Sequence, residues 1–130
     1  MVRITEALAK RNRAKAIVTG ESCGQVASQT LENIAVVDNA AGMPILRPLI
    51  GNNKEEIVDI SQDIGTFSTS ILPDQDCCTL FVPKHPETKA DLDTVLRLEE
   101  TLSVDEMVKE AVENTERRHF ASPAVAHLTR

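Results

Sequence analysis

Only two stretches of this chain read as β-strands, and that scarcity constrains the fold more than any other feature. Residues 14–19 (AKAIVT) form a short β-prone run ending at Gly20, too brief and too apolar for a surface helix, so they read as a buried strand. Residues 45–49 form a second short strand, limited by Pro44 and Pro48. With helical sequence between and around them, the two make a parallel layer flanked by helices. Such a layer, two strands wide, leaves backbone donors and acceptors unpaired along its edge. The chain therefore reads as half of a larger α/β domain, its edge covered by a missing N-terminal part or by a second copy of itself.

The helices follow from periodicity. Ile4, Ala7 and Leu8 sit at helical spacing ahead of Lys10, Arg11 and Arg13, whose charges suit a helix C-terminus, which places a first helix over residues 3–12. Residues 20–24 are a turn of small and polar residues, after which 25–36 resume helical spacing with Ala27, Leu31, Ile34 and Ala35 on one side. Residues 38–44 read as loop, 53–64 as a helix stopped by Gly65, and 66–86, with three prolines and no clear period, as an ordered loop. Leu92, Val95, Leu96 and Leu98 predict a helix within 90–102. Ser103 followed by Glu106 has the form of a capping box opening a last helix through about residue 118. No internal repeat or low-complexity stretch is present.

Composition narrows the function classes. At 130 residues with 42% hydrophobic and 26% charged residues, the chain is one modest soluble domain, and its apolar runs are too short to cross a bilayer. No export signal is legible, so the expected location is cytoplasmic, without membrane partners. Aromatic residues are 2%, with no Trp or Tyr, which excludes a base-stacking surface for single-stranded nucleic acid. The net charge of −6 is uneven: 7 Lys and Arg stand against 8 acids in residues 1–73, and 7 against 12 in residues 74–130. The acidic excess therefore lies toward the C-terminal end, on helical faces that solvent can cover.

Three constellations could carry chemistry. The first is the turn Thr19-Gly20-Glu21-Ser22-Cys23-Gly24-Gln25 at the carboxyl end of a buried strand, the place where open α/β sheets bind ligands, with a glycine that permits close backbone approach. It matches neither a Walker loop nor a dinucleotide fingerprint, and an ordinary strand-to-helix turn would look the same. Gln25, Ser28, Gln29 and Glu32 then fall on one face of the expected helix, where uncharged amides and hydroxyls suit contact with a polar ligand. The second is the adjacent pair Cys77-Cys78, with Lys84 and His85 close behind. A vicinal disulfide is strained and a zinc site lacks its spacing. Two readings of these thiols stand: a buried, unreactive pair, or a nucleophilic or sulfur-carrying thiol whose pKa neighbouring Lys84 and His85 lower. The third places Arg47 at a strand's end and Lys54 near a helix start, where either could meet phosphate or remain solvated.

Taken in order, VTGESCGQVASQTLENI, LRPLIGNNKEEI, DIGT and DCCTLFVPKHP resemble the bacterial tRNA 4-thiouridine synthases, the ThiI family, almost continuously from Met1 to about Lys89. The resemblance implies the second half of a Rossmann-like PP-loop ATP-pyrophosphatase domain, of the adenine nucleotide alpha hydrolase type, over residues 1–89. A short parallel sheet and flanking helices make up this part, and an acidic helical tail covers residues 90–130. The family's tRNA-holding N-terminal regions and its SGGxDS pyrophosphate loop have no counterpart here. The implied activity is ATP-dependent adenylation of the uridine at position 8 of tRNA and replacement of its oxygen by persulfide sulfur, with a link to thiamine thiazole formation. A fragment of this kind is expected to be inactive alone.

Implied cofactors are ATP with Mg and sulfur supplied by a cysteine desulfurase, and implied partners are tRNA, that desulfurase and a second copy of the chain. The resemblance assigns Gly20 and Gln29 to the ATP site, with Glu21, Ser22 and Gln25 beside them, and makes a cysteine of the DCC element the essential thiol. Cys78 is favoured over Cys77, and Cys23 is incidental. Arg47, Lys54 and Lys84 remain substrate or phosphate contacts. The alternative function is a non-catalytic nucleotide-binding or dimerisation module.

Overall fold

A computed structural model describes residues 1–26, 28–73 and 86–119. The first helix, α1 (Val2–Arg11), places Lys10 and Arg11 in its last turn. It closes in a Schellman arrangement: Arg13 N–H donates to the Lys10 carbonyl at 3.0 Å and Ala14 N–H to the Ala9 carbonyl at 2.9 Å. Arg13 carries the left-handed conformation this closure requires, with φ of 59°. The chain then enters β1 (Ile17–Val18), crosses over through α2 (Leu31–Asn39), and returns in β2 (Ile45–Leu46).

The two strands pair in parallel, Ile17 opposite Ile45 and Val18 opposite Leu46. Both are shorter than the sequence suggests. After Leu46 the chain turns at once, Ile50 N–H donating to the Arg47 carbonyl and Asn52 N–H to the Leu49 carbonyl, so Pro48 sits in a turn rather than at a strand end. Ile17 and Ile34 are the buried apolar side chains, whereas Val18 and Leu46, neighbours in register, are 67% and 54% exposed. The sheet thus has a covered face and an open apolar one, as expected for part of a larger α/β domain.

Helix α3 (Lys54–Asp63) begins with a complete capping box, Asn53 Oδ1 accepting from Glu56 N–H at 3.0 Å and Glu56 Oε2 accepting from Asn53 N–H at 2.7 Å. It ends at Gly65, whose φ of +75° reverses the chain. The expected loop after it starts with one further helical turn, α4 (Phe67–Ser70).

Helix α5 (Leu92–Glu99) is capped by Asp91, which accepts from Thr94 N–H at 2.9 Å. Ser103 precedes α6 (Val104–Glu113) but its hydroxyl makes no capping bond, so the capping box expected there is absent, and the helix stops five residues short of the expected end. Helix α6 packs on α1, and a bidentate Arg3–Glu99 ion pair at 2.6 and 2.7 Å ties α1 to α5. Asn33 on α2 secures the approach to α5, donating to the Glu87 carbonyl at 2.7 Å and accepting from Ala90 N–H at 2.9 Å. Between these helices lies an apolar cleft of about 390 Å³, lined by residues including Ile4, Val36, Leu92, Leu96 and Met107.

On the other side of α1, Glu6 is buried and accepts from Gly42 N–H at 2.8 Å while pairing with Lys10 at 2.5 Å. These two partners, Lys10 first, hold its carboxyl below the usual range. A Cβ on Gly42 would lie 2.9 Å from a Glu6 carboxylate oxygen, so glycine permits this contact. No described helix is long and apolar enough to cross a membrane.

Candidate functional site

Strand β1 ends at Val18, and the residues after it fold back on themselves instead of entering a helix. Gly24 adopts φ of +75°, its N–H donates to the Gln29 carbonyl at 2.9 Å, and Gln29 N–H donates to the Val26 carbonyl at 3.0 Å. Helix α2 begins only at Leu31, where Thr30 Oγ1 accepts from Asn33 N–H. The polar face expected from Gln25, Ser28, Gln29 and Glu32 is therefore not a helix face, because only Glu32 of the four is helical. Its physical cause is local: glycine at 24 accepts a left-handed backbone, and a threonine hydroxyl satisfies helix-start amides better than it serves a helix interior.

Gln29 nevertheless lies against the turn, since its Oε1 accepts from Ser22 N–H at 3.0 Å. Ser22 is only 3% exposed and donates its hydroxyl to the Asn52 carbonyl at 2.5 Å, while Cys23 N–H donates to the Ile50 carbonyl at 2.9 Å. The turn is thus pinned to the segment that follows β2. Gln25 is exposed at its outer side. Gly20 is also exposed; no atom lies within 4 Å of the position a Cβ would take, and its φ is not in the left-handed region.

Arg47 follows directly on β2 and is the hub of this end of the sheet. Its Nε donates to Glu21 Oε2 at 2.7 Å and its Nη2 to Asp38 Oδ1 at 2.5 Å, and its side chain is only 10% exposed. Glu21 Oε2 also accepts from Thr19 Oγ1 at 2.8 Å. Burial pushes the guanidinium's pKa down, but the hydrogen bonds it donates to Asp38 and Glu21 more than offset this and the net direction is upward, so Arg47 is a permanent cation. Its Nε and one Nη thus bridge the turn and the last turn of α2. Asp38 was not singled out in the sequence. A strand-end arginine, with acids on the turn after the neighbouring strand and on the crossover helix, is the signal that could have found it.

Lys54 is exposed at the first position of α3, and no ion pair involves it among the described residues. Cys77, Cys78, Lys84 and His85 lie outside the described residues. Cys23, half-buried, is a free thiol. Among the described residues no group of three or more His, Cys, Asp or Glu side chains could hold a metal ion, and the carboxylates at the strand ends are engaged by Arg47.

Comparisons with known proteins agree with this architecture. The chain is 53% identical over 116 residues to a probable tRNA sulfurtransferase of Acetivibrio thermocellus, covering 89% of this chain and 30% of that protein. It is 55% identical over 116 residues to a probable tRNA sulfurtransferase of Thermus thermophilus, covering 29% of it. Among solved structures, a 4-thiouridine synthetase in complex with RNA and with bound ATP superposes with a TM-score of 0.81 at 40% identity, over 88% of this chain and 30% of that one. The chain thus spans about 30% of the length of the relatives it matches. The family model for the thiamine biosynthesis protein ThiI matches residues 1–104, and the chain belongs to that family.

Proposed function

We propose that this chain is part of an ATP-dependent tRNA uracil 4-sulfurtransferase and that its turn after β1 forms one wall of the ATP pocket. The observation that carries this reading is the superposition on a 4-thiouridine synthetase with bound ATP and RNA, at 40% identity, with the turn standing at the carboxyl end of a parallel strand. Gly20 presents open space there, Gln29 and Ser22 hold the turn's shape, and Glu21 and Gln25 stand beside it.

In the proposed reaction the uridine O4 attacks the α-phosphorus of ATP and displaces pyrophosphate. The terminal persulfide sulfur then attacks C4, and AMP leaves with the former oxygen; a second protein thiolate cleaves the S–S bond, releasing 4-thiouridine and leaving a protein disulfide that an external thiol reductant returns to the dithiol. A thiolate or persulfide is a far better nucleophile for this step than water. Cys78, or its neighbour Cys77, is the thiol we assign to accept or relay that sulfur, or to resolve the persulfide as a disulfide, with Lys84 close by in sequence. Lys54 is left as the exposed cation for phosphate or RNA. A cysteine desulfurase supplies the sulfur, Mg accompanies the triphosphate, and the assembled protein works in the cytoplasm as a homodimer.

The test is a chimera in which this chain replaces the matching segment of the Thermus thermophilus relative. ATP-dependent 4-thiouridine, measured by nucleoside mass spectrometry, is expected in transfer RNA and is expected to vanish in Cys78→Ser. A chimera that folds but makes none would refute the activity, and undiminished product in both Cys77→Ser and Cys78→Ser would refute the thiol assignment.

A further inference from the structure

The ion-paired hub at the strand ends carries a sharper statement about what the turn recognises. Two donors, Thr19 Oγ1 and Arg47 Nε, converge on one oxygen of Glu21, Oε2. The other oxygen, Oε1, has no hydrogen bond among the described residues. A carboxylate fixed through one oxygen presents the second as an oriented acceptor. The guanidinium that fixes it is nearly buried and anchored in turn by Asp38, so the carboxylate cannot readily swing away.

Charge decides which part of a nucleotide this acceptor suits. Glu21 and Asp38 together outnumber Arg47 by one negative charge, so the hub repels phosphate and attracts a hydrogen-bond donor. The donors of a nucleotide are its ribose hydroxyls and the exocyclic amine of adenine. We propose that Glu21, oriented by Arg47 and Thr19, accepts a hydrogen bond from the nucleoside end of ATP, and that Arg47 is a positioning residue that touches no phosphate. This deepens the ATP-pocket reading and rests on it.

The test uses the same chimera and measures dissociation constants for ATP, 2′-deoxy-ATP, 3′-deoxy-ATP, the triphosphate of purine riboside, and inorganic tripolyphosphate. Wild type is expected to bind ATP about ten- to a hundredfold more tightly than whichever analogue lacks the recognised donor, the range for a hydrogen bond to a charged acceptor. Glu21→Ala abolishes that preference without weakening the analogue itself. Arg47→Gln reduces the preference at least about threefold and leaves tripolyphosphate affinity within about twofold. In Glu21→Gln the single oxygen is held by Thr19 and Arg47 and the amide NH2 faces outward, so the preference is lost with side-chain shape kept and tripolyphosphate affinity within about twofold, which separates recognition from a general loss of folding.

If wild type binds ATP but all analogues equally, or if Glu21→Ala weakens every ligand alike, the assignment of Glu21 is overturned while the pocket stands. A loss of tripolyphosphate affinity in Arg47→Gln returns the arginine to the phosphates and overturns its positioning role. Absence of ATP binding in folded wild type overturns the pocket itself, and this inference with it.

Discussion

The open face of the sheet gives a quantitative expectation. Val18 and Leu46 face each other across the strand pair with 67% and 54% of their surfaces still exposed. Complete burial of a Val or Leu side chain contributes ~1.5–3 kcal/mol, so covering what remains adds about 1–2 kcal/mol at Val18 and about 0.8–1.6 at Leu46, roughly 2–4 kcal/mol together. Replacing both by Thr removes part of that apolar surface and adds a hydroxyl that a covering layer would have to desolvate, while keeping strand propensity. In residues 1–130 alone, where the face meets water, the double substitution is expected to change stability by no more than about 0.5 kcal/mol. Within the longer chimera it is expected to cost about 2–4 kcal/mol, and with a urea dependence of about 2 kcal/mol per molar the midpoint falls by roughly 1–2 M. Urea unfolding followed by far-ultraviolet circular dichroism, run in parallel on both proteins, reads the difference. Equal shifts in the two settings would show that the rest of the protein does not cover this face.

Three further outcomes are expected. Arg13→Gly relieves a left-handed backbone in a non-glycine residue and is expected to stabilise the chain by about 0.5–1 kcal/mol in urea unfolding. Ser22→Ala removes the buried hydroxyl that holds the Asn52 carbonyl and is expected to cost about 1–2 kcal/mol, with faster amide exchange at Cys23 as the local signature. On the acid side, the Arg3 hydrogen bond holds Glu99 below the usual carboxylate range, and the Thr94 side chain does the same for Asp91. Because the folded-state values lie below the unfolded ones, this stabilisation is complete above about pH 4.5 and is lost as pH falls through the lowered values. Arg3→Gln should therefore flatten the acid limb of a melting-temperature profile between pH 6 and pH 3, and an unchanged limb would contradict the role of the Arg3–Glu99 pair.

The fold was legible where one physical signal sufficed. Apolar spacing with basic residues at the end marked α1, and Gly65 marked the end of α3, because each states a local preference that nothing distant opposes. The start of α2 was misplaced because Gln29 has two uses that periodicity cannot separate: a position on a helix face, or a side chain closing a turn onto Ser22. Ser103 and Asn53 show the same limit. Both stand three residues before a glutamate, yet only Asn53 has the geometry that lets the two side chains cap reciprocally. At the site, Gly20, Glu21 and Ser22 stood out by their place after a strand. The partnership of Arg47 with Glu21 and Asp38 did not, since it joins residues 26 and 9 positions apart through a parallel pairing that only the folded chain supplies.

The two glycines of the turn separate shape from access. Gly24 is needed for the bend itself, since its φ of +75° is one that side-chain-bearing residues rarely adopt. Gly20 has an ordinary backbone and empty space where a Cβ would stand, so nothing in the described residues demands a glycine there. Behind it the turn is fully occupied, with Ser22 bonded to Asn52, Gln29 to Ser22, and Glu21 to Thr19 and Arg47. A turn this firmly tied on its inner side and bare at one outward glycine is rigid toward the sheet and open toward whatever approaches the strand ends. For the nucleotide proposed above, that arrangement would let the backbone come within contact distance without the turn having to reorganise on binding, which is the condition under which a short segment contributes affinity rather than losing it to ordering.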